Sequence, residues 1–364
     1  MSVKKLIMLA DMNSFYASCH QSTDRRLYGK PVIVAGTPNK TRGMVIAASY
    51  EAKRKGVQNF MNYYDVMKCC PDAIFVTRDH DLYETISAKI MAFLRLIGDC
   101  EVASVDEAYI DISPRVEKGT KPADIATYIQ KTLWDKIRIP CSIGVGPNKV
   151  IAKMCADIKK PFGYVHFGIR QFCTYFHPKP IEELFHCGKK TAERLREQGI
   201  DTIGKLAVAD PMTIKIMLGV RGEWLQLAAQ GIASANLDPH HEKGDRSLGR
   251  ETTFGVAEND PSVLTEIAQN MIEELVAALR MKSRTARTLT IVYRNEKGGT
   301  SKTKSVTLPH STDDPLQFFS LFRMLFRDHL LEKPLYLFGI RLSNIEQRWY
   351  EQLTIDPFLV DRNV

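Results

Sequence analysis

The stretch Ser104-Val105-Asp106-Glu107-Ala108-Tyr109-Ile110-Asp111 places two carboxylates side by side between apolar residues. An ionised group loses its hydration when it is buried, so a cation is expected beside this pair, and a metal ion is the simplest one. Neighbouring residues of a regular strand point to opposite faces. The chain should therefore turn between residues 102–105 and 108–112, which read as the two strands of a hairpin. Taken alone, the stretch is equally compatible with an exposed acidic turn without chemistry.

Another acidic residue ends the first apolar run of the chain. Residues 5–10 have the composition of a buried strand, and Asp11 follows them. If this strand lies beside the hairpin, Asp11, Asp106 and Glu107 converge. Hard oxygen ligands of this kind suit Mg²⁺, with Mn²⁺ as a substitute. Two such ions roughly 3.5 to 4 Å apart clamp the attacking and leaving oxygens of an in-line phosphoryl displacement.

Five motifs follow one another along the chain. They are Asp11 to Ser18 (DMNSFYAS), Ser49 to Lys53 (SYEAK), Ser104 to Tyr109 (SVDEAY), Gly144 to Lys149 (GVGPNK) and Ala152 to Pro161 (AKMCADIKKP). In this order they resemble the Y-family translesion DNA polymerases of the DinB/UmuC type (the DNA polymerase IV/V type). The resemblance implies an α+β multidomain fold with the plan of a right hand. Its parts are a palm of a sheet backed by helices, small fingers, a helical thumb with a helix-hairpin-helix, and a βαββαβ little finger.

The resemblance also divides the chain into these parts. We expect the palm at 1–29 and 76–167, the fingers at 30–75, the thumb at 168–237, a linker at 238–245, the little finger at 246–345 and a tail at 346–364. For the little finger, the residues themselves indicate the order β-α-β-β-α-β. Both of its helices begin with Asp-Pro, an N-cap followed by proline at the first helical position.

What the resemblance implies for the site can be stated residue by residue. Asp11, Asp106 and Glu107 are the catalytic residues and hold two Mg²⁺ ions, and the main-chain carbonyl of Met12 completes the second site. The residues that contact the incoming nucleotide are Tyr16, Phe15, Met44, Ile46, Tyr50, Lys53 and Lys160.

Among these nucleotide contacts, the resemblance places Tyr16 under the sugar, where its ring would collide with a ribose 2′-hydroxyl; Phe15 beside it also fits a core position. It also places Met44 and Ile46 over the nascent base pair, and Tyr50, Lys53 and Lys160 on the triphosphate. Without the motifs, Tyr16 would be interpreted as a core aromatic and the lysines as ordinary helix charges.

A basic run points to the DNA backbone. Residues 280–304 contain eight basic side chains and one acidic one, a ratio that favours phosphate binding over a solvated surface. Arg294 and Lys304 are expected to share one basic face. In the thumb, the segment 180–195 resembles a helix-hairpin-helix, although His186 replaces a usual glycine. The expected DNA contacts are Gly188, Lys189, Arg284, Arg287, Arg294, Lys302 and Lys304.

Bulk properties narrow the class of protein. The chain of 364 residues suggests more than one domain, and a formal charge of +8 with a pI near 8.9 favours an anionic partner. Eight cysteines without C-x-x-C spacing predict a reduced cytoplasm rather than a disulfide framework. No apolar run reaches the roughly 18 residues of a membrane span. We expect a bacterial, nucleoid-associated monomer, whose segment 352–358 faintly resembles a sliding-clamp peptide.

The sequence therefore predicts a low-fidelity, template-directed DNA polymerase that bypasses damaged bases on primer-template DNA, using dNTPs. One alternative is a catalytically weak DNA-binding accessory protein of the same fold, although the three acids argue against it. The other is a metal-dependent nuclease or nucleotide cyclase with a related acidic palm. A cyclase needs no DNA, so the basic run counts against it.

Overall fold

The computed structural model describes residues 5–36, 43–239, 246–329 and 333–348, without the side chains of 327–329. The chain divides into two units, Met1–His241 and Glu242–Val364. Each has its own hydrophobic core. Within these four ranges, no helix is long and apolar enough to cross a membrane.

Strands and helices are interspersed along the first unit. Its strands are β1 (Ile7–Met12), β2 (Val32–Ala35), β3 (Val45–Ala48), β4 (Ile74–Thr77), β5 (Cys100–Val102), β6 (Glu107–Asp111), β7 (Cys141–Gly146) and β8 (Tyr164–His166). Its helices are α1 (Phe15–Thr23), α2 (Tyr50–Arg54), α3 (Tyr63–Cys69), α4 (His80–Arg95), α5 (Ser113–Glu117), α6 (Pro122–Ile137), α7 (Lys149–Ile158), α8 (Ile169–Phe176), α9 (Lys189–Arg196), α10 (Ile203–Val208), α11 (Pro211–Leu218) and α12 (Val220–Ala229).

A five-stranded sheet in the order β5-β6-β1-β7-β8 carries the predicted acids. The predicted hairpin is present, since β5 and β6 pair antiparallel with Val102 opposite Ala108. Its boundaries differ from the prediction, because β5 ends at Val102 and β6 already begins at Glu107. The turn therefore precedes Glu107, which is held in a regular strand beside β1.

The two faces of this sheet bury different helices. Met8 and Ala10 of β1 belong to a core cluster that also contains apolar residues of α4 and α6. Ile7 and Leu9 pack on the other face with Ala152 of α7. Because side chains alternate along a strand, Asp11 continues the row of Ile7 and Leu9. The acid therefore faces α7 and not the α4–α6 core.

Gly144 in β7 allows α7 to lie close to the sheet. A Cβ atom at this position would stand 2.0 Å from the carbonyl oxygen of Ala152 and 2.3 Å from the amide nitrogen of Ala156. Both atoms belong to the backbone of α7, so no side-chain movement could relieve the clash. The glycine thereby sets the distance at which side chains of α7 reach the acids of β1 and β6.

The rest of the first unit forms two smaller groups. β2 pairs with β3 and β4 in a three-stranded sheet, and the side chain of Ser49 caps α2 by accepting from the amide of Ala52. Residues 169–229 are helical and share one core with α7, to which Phe172, Leu195 and Leu225 contribute. This is the helical segment expected after the palm.

The second unit confirms the predicted order β-α-β-β-α-β. Its elements are β9 (Ser247–Glu258), α13 (Pro261–Met281), β10 (Arg284–Arg294), β11 (Lys302–Thr312), α14 (Pro315–His329) and β12 (Leu335–Gln347). The strands form an antiparallel sheet in the order β11-β10-β12-β9. Both predicted caps are present, since Asp260 and Asp314 accept hydrogen bonds from Ser262 and Leu316 amides at 2.8 and 2.9 Å.

Strand β12 runs past residue 346, where we expect the tail to begin. Its pairing with β10 extends to Gln347. Strand ends depend on partners distant in sequence, which a local pattern does not contain.

Candidate active site

A cleft of about 360 Å³ in the first unit contains all three predicted catalytic acids. Its lining comes from β1, α1, β3, α2, β6 and α7 together with their adjoining loops. These elements are separated by up to about 150 residues of sequence, so only the fold brings them together.

Asp11 and Glu107 face each other across two adjacent strands. They are direct partners in the antiparallel register of β1 and β6, so their side chains leave the sheet on the same side. Lys153 of α7 bridges them, with its Nζ 2.8 Å from Asp11 Oδ2 and 2.5 Å from Glu107 Oε1. Two of the three predicted acids therefore converge on one cation of the protein itself.

The two facing carboxyl groups have opposite pKa shifts. Burial opposes the ionisation of Asp11, but the charges of Lys153 and Lys160 outweigh it and hold the Asp11 pKa below its ordinary value. Burial raises the pKa of Glu107, and the hydrogen bond that its protonated form donates to Asp11 adds to the effect. Asp11 is therefore the group that keeps its negative charge, which suits a cation-binding position.

Asp106 lines the same cleft, but its carboxylate is hydrogen-bonded to Ser104. Ser104 Oγ donates to Asp106 Oδ1 at 2.5 Å, and the Asp106 carbonyl accepts from the Met12 amide at 2.9 Å. The backbone of Asp106 is thus fixed beside Met12, while its side chain has another partner. Over the described ranges, no group of three His, Cys, Asp or Glu side chains is arranged to hold a metal ion. Of the three acids predicted to converge, two face each other directly, Asp11 and Glu107.

Lys160 lies beside Asp11 as well. Its Nζ is 2.8 Å from Asp11 Oδ2 and 2.7 Å from Asp157 Oδ1. In this arrangement the lysine expected on the triphosphate neutralises an acid of the site. Asp157 and Lys153 were not predicted as site residues, although both stand in the quoted motif AKMCADIKKP. Their helical spacing of four was the signal that could have found them.

Tyr16 rests on a buried support. Its ring stacks on Tyr83 of α4 with 4.2 Å between centroids and 17° between planes. Tyr83 is 1% exposed, and its hydroxyl is 2.9 Å from His20 Nε2. Burial lowers the pKa of His20, which favours a neutral ring. Neither Tyr83 nor His20 was predicted; His20 lies one helical turn after Tyr16, which is the only local signal for it.

The remaining nucleotide candidates line the cleft with one exception. Lys53 Nζ donates to Ser14 Oγ at 2.8 Å and lies 4.9 Å from the centre of the Tyr50 ring. Ile46 lines the cleft and Phe15 contributes to it from the core. Met44 is outside the lining; it forms a bridge with Asn62 and its side chain is 58% exposed.

The hairpin before α9 keeps a glycine-like backbone despite its histidine. His186 has φ of 68°, in the left-handed region that glycine adopts most easily. Its ring lies 5.2 Å from Trp224 in an edge contact, and its carbonyl accepts from Arg221 at 3.0 Å. Gly188 then caps α9, and Lys189 is exposed in its first turn.

The basic side chains of the second unit do not share one face. Ile291, which is buried in the core beneath the helices, is the direct partner of Lys304, and Tyr293 is the partner of Lys302. Arg294 follows Tyr293 and so points to the opposite face. The expectation that Arg294 and Lys304 form one basic face is therefore wrong. Arg284 begins β10, and the buried Nε atoms of Arg287 and Arg294 have no hydrogen-bond partner among the described residues.

Two family descriptions match this chain. The description "impB/mucB/samB family" matches residues 10–157, and "impB/mucB/samB family C-terminal domain" matches residues 245–355. The first match includes every acid of the cleft, and the second includes the β-α-β-β-α-β unit.

Similar proteins cover nearly the full chain. DNA polymerase IV of Oceanobacillus iheyensis is 33% identical over 94% of this chain and 82% of its own length. DNA polymerase IV 1 of Bacillus subtilis is 34% identical over 98% and 86%, and DNA polymerase IV of Methanoculleus marisnigri is 34% identical over 97% and 98%. Among solved structures, the Y-family DNA polymerase chimera Dbh-Dpo4(243-245)-Dbh matches with a TM-score of 0.81 and 26% identity over 94% of this chain and 99% of its own.

Proposed function

Since this chain belongs to the impB/mucB/samB family and is a Y-family, translesion-type DNA-directed DNA polymerase, we propose that the cleft around Asp11 and Glu107 is its active site. DNA and deoxynucleoside triphosphates are its substrates. The observation that carries the proposal is the pair of facing carboxylates, which the register of β1 and β6 aims into a cleft rich in lysine.

The side chains of the cleft fit a divalent metal. Y-family polymerases depend on metal ions, and the donors here are carboxylate oxygens, which suit Mg²⁺ and Mn²⁺. Two ammonium groups lie 2.8 Å from Asp11 Oδ2, so this carboxylate already binds cationic groups, and a metal ion would take their place. Asp11, Glu107, Asp106 after release from Ser104, and the Met12 carbonyl would hold two ions. When bound, such ions neutralise the charge of the reacting phosphate oxygens.

The protein's own residues then position the nucleotide. We assign Tyr50, Lys53 and Lys160 to the triphosphate, which requires Lys53 to leave Ser14 and Lys160 to leave Asp11. Lys53 would exchange the Ser14 hydroxyl, and Lys160 the Asp11 carboxylate, for phosphate oxygens. The phosphate oxygens would compensate the charge of each lysine. Tyr16, held flat on Tyr83, would lie under the sugar, and Ile46 with Met44 would cover the base. Positioning and charge stabilisation carry most of such a reaction.

We further assign the elements to the parts of a polymerase hand. The five-stranded sheet with α4, α6 and α7 supports a palm at 1–29 and 76–167, and the three-stranded sheet supports fingers at 30–75. Residues 168–237 are assigned to the thumb, 238–245 to the linker, and the β-α-β-β-α-β elements from β9 to β12 to the little finger. Small fingers limit how tightly the site can close on a base pair, which is consistent with low fidelity.

The DNA contacts are proposed from charge and exposure. Gly188 and Lys189 at the start of α9 can meet a phosphate with a backbone N–H group and an ammonium. Arg287 and Arg294 each have a shielded Nε without an acceptor among the described residues, which a phosphate oxygen could supply. Binding to the sliding clamp is proposed on the sequence of residues 352–358 alone, which lie outside the described residues. Because the chain binds DNA, we propose that it is located at the bacterial nucleoid. We propose that it acts there as a monomer.

The test of this site is extension of a labelled primer with dNTPs and Mg²⁺. We expect the double substitution Asp106→Ala/Glu107→Ala to lower the extension rate roughly a hundredfold or more, because charge stabilisation of the reacting groups is lost. The matched control is Asp81→Ala/Glu84→Ala, which removes two exposed acids of α4 outside the cleft. Full extension by the cleft variant would contradict the proposed site.

A binding assay distinguishes loss of the reaction from loss of DNA binding. The double variant should still bind primer-template DNA, since its basic residues are unchanged. If the double variant no longer binds DNA, its slow extension does not locate the active site. Analysis of the products on DNA would in the same experiment distinguish extension from nuclease cleavage.

A further inference from the structure

Lys153 occupies the centre of the acidic site. We propose that Lys153 is an internal counter-ion that neutralises Asp11 and Glu107 while no metal is bound, and that metal binding displaces it toward Asp157. The inference rests on the proposed function, in which these two carboxylates hold the metal. It adds a role for a side chain that contacts the acids and that the proposed reaction does not otherwise use.

The contacts and burial of Lys153 support the first half of this role. Its Nζ is 2.8 Å from Asp11 Oδ2 and 2.5 Å from Glu107 Oε1, while the lysine side chain is only 13% exposed. Asp11 and Glu107 are 5% and 24% exposed. Two carboxylates facing each other at this depth repel each other, and water cannot screen them well. An ammonium with three donors satisfies both of them at once.

The same contacts make Lys153 a competitor of any metal ion. An ammonium and a divalent cation beside the same two carboxylates repel each other, and their repulsion is strong because the site is shielded from water. The free energy of metal binding must therefore include the displacement of Lys153. Without Lys153 both carboxylates remain available, and the metal meets one competing charge fewer.

The structure also offers Lys153 a second partner. Asp157 lies one helical turn further along α7, and its Oδ2 is 3.6 Å from Lys153 Nζ. The Asp157 side chain is half exposed, so a lysine that turns toward it gains both a carboxylate and access to water. The flexible stem of lysine permits this movement without a change in the helix backbone.

Lys160 does not replace Lys153 in this role. It contacts only one of the two facing acids, Asp11, and it already holds Asp157 at 2.7 Å. Its side chain is 27% exposed, twice as much as that of Lys153, and it follows the end of α7. Lys160 can therefore leave for the triphosphate, whereas Lys153 would exchange the facing acids for Asp157 when the metal binds.

The experiment measures metal binding without any reaction. Mn²⁺ is titrated calorimetrically into the full chain in the absence of DNA and nucleotide, for wild type and for Lys153→Met. We expect Mn²⁺ to bind the variant roughly tenfold more tightly or better, because a competing charge a few ångströms away is removed. In EDTA the same variant should melt at a lower temperature than wild type. Saturating Mn²⁺ should raise the melting temperature of the variant by more than it raises that of wild type.

The chain contains a matched control on the same helix. Lys149 also forms a half-buried ion pair, with its Nζ 2.7 Å from Glu101 Oε2, but it does not line the cleft. Lys149→Met should lower the melting temperature equally with and without Mn²⁺ and leave the affinity for Mn²⁺ unchanged. Lys153→Arg, which keeps the charge, should not bind Mn²⁺ more tightly than wild type.

Two further outcomes are decisive. If Lys153→Met and wild type bind Mn²⁺ equally, or if the variant binds more weakly, Lys153 is not a competitor and the inference is wrong while the metal site stands. If neither protein binds Mn²⁺, the proposed metal site fails, and this inference fails with it. Should Lys153→Met not fold in EDTA, Lys153→Gln, which removes the charge but keeps a donor, is titrated in its place with the same expected gain.

Discussion

At the scale of single residues, the position of Tyr16 depends on what lies beneath its ring. The Tyr83 ring under it is buried and is tied by its hydroxyl to His20. Because Tyr83 is held in place, the Tyr16 ring cannot easily move to make room for a larger sugar. The discrimination proposed for Tyr16 therefore depends on three side chains and not on one.

Replacing Tyr16 tests this discrimination. In Tyr16→Ala the space under the sugar is opened, so a ribose 2′-hydroxyl no longer collides with a ring. We expect ribonucleotide insertion relative to deoxynucleotide insertion to rise roughly 10- to 200-fold, the range for one group fitted into a pocket. Single-nucleotide insertion kinetics with matched dNTP and rNTP pairs measure this ratio.

Tyr83→Phe is the matched control for the support. It keeps the stacked ring and removes only the hydroxyl that bonds His20. We expect a smaller rise in ribonucleotide insertion than in Tyr16→Ala. The melting temperature of Tyr83→Phe should stay close to that of wild type. An unchanged ratio in Tyr16→Ala itself would show that another group excludes the 2′-hydroxyl.

At the scale of elements, the site depends on how closely α7 lies on the central sheet. Local signals predicted much of this region, because the apolar run of β1 and the hairpin of β5 and β6 can be recognised in the sequence. They could not predict that Asp11 pairs with Glu107, since register is set by strands about a hundred residues apart. Lys153 was missed for the same reason: one lysine in an amphipathic helix resembles any other until its neighbours are known.

Gly144→Ala tests the contact between sheet and helix. Its new methyl group would meet the α7 backbone at 2.0 Å, so the helix must shift and carry Lys153 with it. Overpacking of this kind destabilises a core by about 1–3 kcal/mol, and we expect both a lower melting temperature and slower primer extension.

Gly36→Ala is the control for this substitution. Among the described residues its methyl group would meet the Ile46 side chain alone, at 3.9 Å, which is ordinary contact. We expect stability and extension close to those of wild type. If Gly144→Ala behaves as this control does, α7 does not need its close approach to hold the site.

At the scale of the whole molecule, charge makes DNA binding dependent on salt. A formal charge of +8 favours a polyanion, and each phosphate contact releases counterions. The composition alone could not show which lysines and arginines act together. The register of β10 with β11 separates Arg294 from Lys302 and Lys304, on opposite faces of one sheet.

This separation gives a prediction for two variants. Arg294 points away from the helices, and its Nε lacks an acceptor among the described residues, so we expect Arg294→Gln to lose a phosphate contact. The slope of log K against log salt should then fall by about 0.9. Lys304→Gln, on the helix side, should leave the slope unchanged. Fluorescence anisotropy on primer-template DNA at several salt concentrations measures both.

An equal decrease in the slope of log K against log salt for Arg294→Gln and Lys304→Gln would contradict this assignment of faces. It would mean that duplex DNA reaches the edge strand β11 from both sides of the sheet. A loss in Lys304→Gln alone would place the DNA contact on the helix side.

The sequence by itself determined the kind of protein and the order of its elements. Its motifs indicate the family, its first apolar run predicts the buried strand β1, and its Asp-Pro pairs mark where both helices of the second unit begin, because these signals are local. Only the tertiary structure decided that Asp11 faces Glu107 and that Lys153 lies between them. It also decided that Asp106 accepts a hydrogen bond from Ser104, and that Arg294 and Lys304 lie on opposite faces of their sheet. Each of these depends on strand register or on a helix packed against a sheet, and such contacts join residues that are distant in sequence.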